Sequence, residues 1–358
     1  MSFTVGTLPD GGPYTWDRST KRAFFLDATR ALDDHHRALC PAYRRVADLL
    51  TNGTFDTIED VPFLPVRLFK ERLLASVPAE HIVKTVTSSG TSSQIRSRIA
   101  LDRTAAINQT KALSRIVSDF TGSKRLPTLV IDSAATLEGR SERSARAAGI
   151  IGFASLGRNL TYALDSAMTP DFGVIEEFLA RFGGAPFLVF GFTSILWEHF
   201  YKPLAALNRS FDMSCGILFH GGGWKRLAAE SVCASDYKNA LHTVGRFGAI
   251  HDYYGMAEQA GSIFVECEQG RLHAPIFSDV LIRRFDDFSA ASFGERGLVQ
   301  LLSLLPTSYP GHSILTEDEG EILGEDDCPC GRLGKTLRIH GRIQNAEIRG
   351  CSDTYERR

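Results

Sequence analysis

The chain has 358 residues, of which 43% are hydrophobic and 23% charged, the balance of a soluble globular protein whose core needs no disulfide staples. Its net charge of -2 gives no electrostatic ground for nucleic acid or an anionic membrane surface as a partner. No run approaches the roughly 18 apolar residues of a membrane span, and the N-terminus lacks a basic start followed by an apolar stretch, so neither a span nor a signal peptide is expected.

From the start, Trp16 to Leu50 reads as helical, with Phe24, Phe25 and Leu32 spaced to share one face. Pro41 should divide it into two helices. Val61 to Leu74 holds two prolines and then a short amphipathic run, Val66 to Lys70. Ile82 to Thr87 has the pattern of a strand that ends in a Ser/Gly loop. Asp102 to Phe120 reads as a helix with Asp102 as its N-cap. Strands are expected at Pro127 to Asp132, Phe187 to Phe190 and Cys215 to His220. Helices are expected at Asp171 to Phe182 and from Ser194 to Leu207, with Pro203 as an interruption. Strands that alternate with helices argue for an α/β fold with its ligands at the carboxyl ends of the strands.

From Ser262 the character changes. Ile263 to Cys267, Val280 to Arg284, Leu298 to Ser303 and Leu337 to His340 read as short strands of a β-rich subdomain. The expected division is therefore a helical segment over 1–75, an α/β core over 76–261, a β-rich subdomain over 262–341 and a short C-terminal segment over 342–358. The seven cysteines lie at 40, 215, 233, 267, 328, 330 and 351. They show no disulfide spacing, so free or metal-bound thiols in a reducing cytoplasm are expected.

The sharpest local signal is Thr87-Ser88-Ser89-Gly90-Thr91-Ser92-Ser93, followed by Arg96 and Arg98. Hydroxyls and glycine-permitted backbone N–H groups can wrap phosphates, and arginine can neutralise them. The spacing and the lysine of a Walker loop are absent. Alone, the segment reads equally well as a surface loop. Tyr253-Tyr254-Gly255-Met256-Ala257-Glu258, then Thr316-Glu317-Asp318-Glu319-Gly320, then Gly341-Arg342 follow it in the chain.

These four pieces, in this order, resemble the adenylate-forming superfamily of acyl ligases. The resemblance implies an α/β fold with layered sheets, the large N-terminal domain of that superfamily, and a smaller β-rich subdomain. It further implies ATP and Mg²⁺ as cofactors. Phosphate contacts fall on Ser88, Ser89, Gly90, Thr91, Ser92 and Arg96. Tyr254, with Gly255 after it, stacks on adenine, and Glu258 takes Mg²⁺. Asp318 and Arg342 hold the ribose. Gly221, Gly222 and Gly223 let the backbone approach the purine. The chemistry suits the roles, because aromatic faces stack on bases, carboxylates are hard oxygen ligands for Mg²⁺, and arginine keeps its charge. Ser93 replaces the usual loop glycine, Arg96 the usual lysine, Ala257 the usual threonine and Glu317 the usual glycine.

Within the superfamily, Pro62 to Lys70, the Ser/Thr/Gly loop with Ser97-Arg98-Ile99, Tyr254 to Gln259, Ser308-Tyr309-Pro310-Gly311-His312 and Arg349-Gly350-Cys351-Ser352-Asp353 look like the LuxE-type acyl-protein synthetases. The phenylacetate–CoA ligases are more distantly similar. The LuxE-type family supplies activated fatty acyl groups to the reductase of bacterial luminescence. The resemblance implies a medium- or long-chain fatty acid as substrate, activation to acyl-AMP, and transfer to Cys351 as a thioester. The acyl group would then pass to a partner such as an acyl reductase. A ligase that passes the acyl group to CoA or a carrier protein is one alternative. A nucleotide-binding subunit without catalysis is another, and so is an aryl acid in place of a fatty one.

Superfamily members usually continue past the Gly-Arg hinge into a cap domain with a catalytic lysine. Only residues 343–358 follow Arg342 here, so the cap is expected to be absent or vestigial, with Lys225 and Lys335 as candidate replacements. Cys267, His273, Cys328 and Cys330 carry soft donors of the kind that form a four-coordinate structural zinc site. Relatives among the phenylacetate ligases carry a similar pairing. Without a shared locus the same residues read as four unrelated side chains. His220, before the three glycines, is either a lining residue of the acyl site or a core histidine.

Overall fold

The computed structural model describes residues 3–51, 53–88, 96–137, 145–224 and 230–343. The first helix, α1 (Arg18–Leu39), starts where the Asp17 side chain accepts the Thr20 N–H and ends at Cys40. Pro41 then opens α2 (Pro41–Leu50) at a position where its missing N–H costs nothing. The strands β1 (Leu64–Pro65), β2 (Lys84–Thr87) and β3 (Arg98–Leu101) come next, with the short α3 (Leu68–Glu71) after β1. Asp102 caps α4 (Arg103–Thr121) through the Ala105 N–H, as its sequence position predicts.

An alternating stretch follows: β4 (Pro127–Ser133), α5 (Ala145–Ala154), β5 (Arg158–Leu164), α6 (Phe172–Phe182) and β6 (Phe187–Phe192). After β6, α7 (Thr193–Leu196), a π-helical turn at Trp197–Tyr201 and α8 (Lys202–Ala206) run on as one helical stretch. Pro203 therefore does not interrupt the helix. It sits at the start of α8, behind a widened turn of the kind that absorbs a missing donor. Then come β7 (Gly216–Gly221), α9 (Ala234–Gly245) and β8 (Ala249–Tyr254). The last six strands are β9 (Phe264–Glu266), β10 (Leu272–His273), β11 (Ser278–Arg283), β12 (Gly297–Ser303), β13 (Ser313–Glu325) and β14 (Lys335–Arg342).

Two compact units emerge. One comprises, among the described residues, 3–51, 53–88, 96–119 and 254–343. Its strands β9 to β14 are antiparallel, in the order β11-β12-β13-β14-β10-β9, with β1 parallel to β13 and a separate β2–β3 hairpin. The other comprises, among the described residues, 120–137, 145–224 and 230–253. Its strands are all parallel, in the order β5-β4-β6-β7-β8. β4 and β6 are buried along their whole length, as parallel strands covered on both faces must be.

The units do not follow the chain-order division expected above. The helical segment 1–75 and residues 96–119 belong with the β-rich part, because β1 pairs with β13 and Lys21 on α1 is buried against Asp279 on β11. No helix among the described residues is long and apolar enough to cross a membrane.

Candidate active site

Asp318 and Arg342 face each other across the antiparallel β13–β14 ladder. That register brings the Arg342 Nε to 3.7 Å from Asp318 Oδ1. On the other side of the carboxylate, the Tyr254 hydroxyl donates to Asp318 Oδ2 at 2.6 Å. Burial, the Asp318 charge and this hydrogen bond push the Tyr254 hydroxyl well above the ordinary phenol range. Burial also raises Asp318, against the opposing pull of Tyr254 and Arg342. Next to Asp318, Glu317 is bonded by Arg67, which lies just ahead of α3.

Glu258 lies in the short 3₁₀ turn Ala257–Gln259 that follows β8 and is 5% exposed. Burial raises its carboxyl group, while Ser97, Lys70 and Arg342 draw it down. Ser97 also closes the base of the Ser/Thr/Gly loop. The Ser88 N–H donates to the Ser97 carbonyl at 3.1 Å, and the Ser97 N–H donates to Ser88 Oγ at 2.9 Å. The β2–β3 pairing of Thr87 with Arg98 sets this closure. Tyr254, Glu258, Asp318, Arg342 and the Ser88–Ser97 loop base thus form one cluster of acceptors and cations within one unit. Arg96 sits half-buried beside Ser97. Ser89, Gly90, Thr91 and Ser92 lie outside the described residues.

In the parallel unit, Gly221 ends β7 against Tyr253. A Cβ there would stand 2.6 Å from the Tyr253 carbonyl oxygen. Gly222 and Gly223 have φ of 89° and 66°, which a side chain would strain. His220 is buried with Nδ1 3.0 Å from Thr193 Oγ1. Burial, aided by nearby positive charge, lowers its pKa to about 3, so the ring is neutral.

The four soft donors do meet. One ligand atom from each of Cys267, His273, Cys328 and Cys330 lies within 4.8 Å of all the others. Cys267 and Cys328 Sγ are 3.8 Å apart, and Cys330 Sγ is 3.4 Å from His273 Nε2. Ligands held tetrahedrally at zinc bond lengths of about 2.0–2.3 Å stand roughly 3.4–3.8 Å from one another. Each of the two cysteine-bearing turns also aims a backbone N–H at sulfur, Gln269 at Cys267 and Arg332 at Cys330, both at 3.4 Å. Burial lowers the His273 pKa to about 4, leaving the neutral imidazole that binds metal. The residues present fit a zinc ion.

Two expectations about lysine fare differently. Lys335 cannot serve a phosphate. It is 6% exposed, with Nζ 3.0 Å from Asp279 Oδ2 and 2.9 Å from the Val280 carbonyl. Lys225 lies outside the described residues, as do Cys351 and Arg349. The residues that sequence reasoning left without a role are Arg67, Lys70, Gln259 and Tyr309. All fall inside segments whose family resemblance was visible, but only the folded contacts say what they touch.

A family model described as "Acyl-protein synthetase, LuxE" matches residues 8–358. Among curated proteins, the "Long-chain-fatty-acid--luciferin-component ligase" of Aliivibrio fischeri is 25% identical over 360 aligned positions, covering 94% of this chain and 86% of that one. The protein of the same name from Vibrio harveyi is 21% identical, covering 96% and 90%. Among solved structures, an open conformation of 2-hydroxyisobutyryl-CoA ligase in complex with 2-HIB-AMP and CoA superposes with a TM-score of 0.70 at 16% identity. The overlap covers 96% of this chain and 81% of that one, a likeness of fold.

Proposed function

Because the chain belongs to the LuxE acyl-protein synthetase family, and is on that ground an acid–thiol ligase, we propose that it converts a medium- or long-chain fatty acid to acyl-AMP with ATP and passes the acyl group to a thiol of its own, Cys351. The observation that carries this reading is the convergence of Tyr254 and Arg342 on the Asp318 carboxylate, beside Glu258 and the base of the Ser/Thr/Gly loop. A carboxylate between a phenol and a guanidinium presents acceptor oxygens of fixed direction, suited to a ribose diol.

In this reading Asp318 and Arg342 hold the ribose, the Tyr254 ring packs on adenine, and the loop from Ser88 to Ser92 with Arg96 holds the phosphates. Glu258 is the residue that would hold Mg²⁺, which when bound would supply charge neutralisation for the departing pyrophosphate. A carboxylate oxygen of the acid attacks the α-phosphorus, the bond to the pyrophosphate oxygen breaks, and pyrophosphate leaves. The Cys351 thiolate then attacks the carbonyl carbon of the mixed anhydride, and AMP leaves with the electron pair of the broken bond. The thioester is handed to a partner, which the names of the relatives suggest is a component of a luminescence-type system such as an acyl reductase. Zinc on Cys267, His273, Cys328 and Cys330 would be structural, since all four positions are taken by protein ligands.

The test is ATP–pyrophosphate exchange across aliphatic and aromatic acids of graded size, followed by labelling with radioactive acid. Exchange with fatty acids and a covalent acyl label on the wild-type chain are expected. Asp318→Ala should lose exchange by at least about 100-fold, as for a polar contact to the reacting nucleotide. Cys351→Ser should keep exchange and lose the label. A Cys351→Ser chain that labels in full removes Cys351 as acceptor. Soluble acyl-CoA formed on adding CoA would move the acceptor off the protein altogether.

A further inference from the structure

The turn that carries Glu258 is held from behind by a buried segment of other sequence, Ser308 to His312. The Tyr309 hydroxyl donates to the Glu258 carbonyl at 2.8 Å. The Gln259 amide Nε2 donates to the Gly311 carbonyl at 2.8 Å and to the Leu301 carbonyl at 3.1 Å. Fit is tight as well as polar. A Cβ on Gly311 would stand 2.3 Å from the Tyr309 ring and 3.0 Å from the Glu258 carbonyl oxygen.

The same segment is anchored at its far side. Ser308 Oγ donates to the Ala100 carbonyl on β3 at 2.8 Å, and the Ser76 N–H donates to the Ser308 carbonyl at 2.8 Å. The His312 ring stacks on His36 of α1 at 5.0 Å, and Phe69 of α3 meets the Tyr309 ring edge-on at 6.1 Å. Tyr309, Ser308 and His312 are fully buried and Gln259 is 1% exposed. One strut therefore ties the Glu258 turn to β3, the strand that closes the base of the Ser/Thr/Gly loop.

We propose that Tyr309 is a positioning residue for Glu258, fixing the carboxylate relative to the loop base so that a divalent cation and the phosphates meet at a set distance. The inference rests on the reading of Glu258 as the Mg²⁺ residue. A buried hydroxyl spent on the backbone of that residue, rather than on its side chain, acts through geometry. Losing it loosens the turn without removing a ligand, so the deficit is one that more cation makes good.

The experiment is pyrophosphate exchange by the full-length chain as a function of Mg²⁺, for wild type, Tyr309→Phe, Gln259→Met and Glu258→Gln. Tyr309→Phe keeps the ring and its packing. It should raise the Mg²⁺ concentration for half-maximal exchange roughly fivefold, the equilibrium weight of about one hydrogen bond, and return to near the wild-type rate at saturating Mg²⁺. Gln259→Met, which cuts the second tether, should shift in the same direction and serves if Tyr309→Phe does not fold. A purely structural role predicts a lower unfolding temperature with no change in Mg²⁺ dependence. That result in both variants, with exchange by Glu258→Gln still impaired, overturns the proposal while leaving Glu258 in its role. Full exchange by Glu258→Gln at low Mg²⁺ instead removes the magnesium reading and the positioning role together.

Discussion

Glu258, the residue proposed to hold Mg²⁺, is at odds with its own fold. It is 5% exposed and burial raises its carboxyl group, although Ser97, Lys70 and Arg342 partly offset the penalty. A raised pKa means the folded chain binds this proton more tightly than the unfolded chain does. Stability linked to Glu258 is therefore greatest at low pH and declines as pH rises through the raised value. At neutral pH the ionised group costs stability that an amide would not. Glu258→Gln should accordingly stabilise the fold at pH 7.5 by roughly 0.5–2 kcal/mol, the usual size of a single stabilising substitution, while exchange activity falls. The gain should shrink as the pH is lowered. Thermal unfolding of the two proteins at pH 7.5 and 5.5 checks this, and a variant that is less stable at pH 7.5 contradicts it. That Glu258, Tyr254, Asp318 and Arg342 belong together was implied by the resemblance of their segments, in chain order, to the adenylate-forming ligases. Their mutual bonding was not, because the Tyr254–Asp318 hydrogen bond depends on strands far apart in the chain.

At the scale of elements, the sequence shows strands best where they are apolar. Pro127 to Asp132 and Phe187 to Phe190 are runs of buried residues and became β4 and β6. By contrast β13, the longest strand, was hidden by its own acidic middle, Glu317 to Glu321, whose side chains are in part turned outward to pair with Arg67, Arg296, Arg338 and His340. Five residues in a row without an apolar side chain show no strand period, so the stretch reads locally as loop. Two tight turns carry the Cys/His cluster, Cys267 to Gly270 and Cys328 to Gly331. Each closes with a glycine N–H bonded to the first cysteine carbonyl, and both glycines have positive φ. Burial and the neighbouring sulfurs push Cys328 up to about 12, so without a cation it is a neutral thiol, and a bound zinc ion would be what draws the proton off. Elemental analysis should find one zinc per chain. Cys328→Ser should lose it and lower the unfolding temperature, and a strong chelator should do the same to the wild type. Zinc-free protein whose unfolding a chelator leaves unchanged would remove the metal from this cluster.

Across the whole molecule, the part least visible in the sequence is which segments fold together. Nothing local in the first helix announces that its partner is the late β-rich region. One of the bonds between them is a buried charge cluster. Lys21 of α1 is 2% exposed, with Nζ 2.9 Å from the Ala274 carbonyl and 3.8 Å from Asp279 Oδ1. Lys335 takes the other oxygen of the same carboxylate at 3.0 Å. One buried aspartate thus answers two buried ammonium groups, and burial outweighs its pull at Lys21, whose pKa falls to about 8. Because the folded value is depressed, the cost of charging Lys21 is felt in full below about pH 8. It is relieved as pH rises toward the unfolded value near 10.5, so this cluster gains stability with alkali. The two ways of breaking the cluster are then unequal. Asp279→Ala strands two ammonium groups in the interior and should cost about 3–5 kcal/mol, the range for removing one partner of a buried pair. Lys21→Met leaves a matched Asp279–Lys335 pair and replaces a poorly solvated charge with an apolar chain of similar length. It should be far milder, and it should flatten the alkaline rise in stability. Denaturant unfolding of both variants from pH 7 to 10 separates the cases. Equal losses in the two, with the alkaline rise intact in Lys21→Met, would mean that α1 is held to the sheet by its apolar face alone.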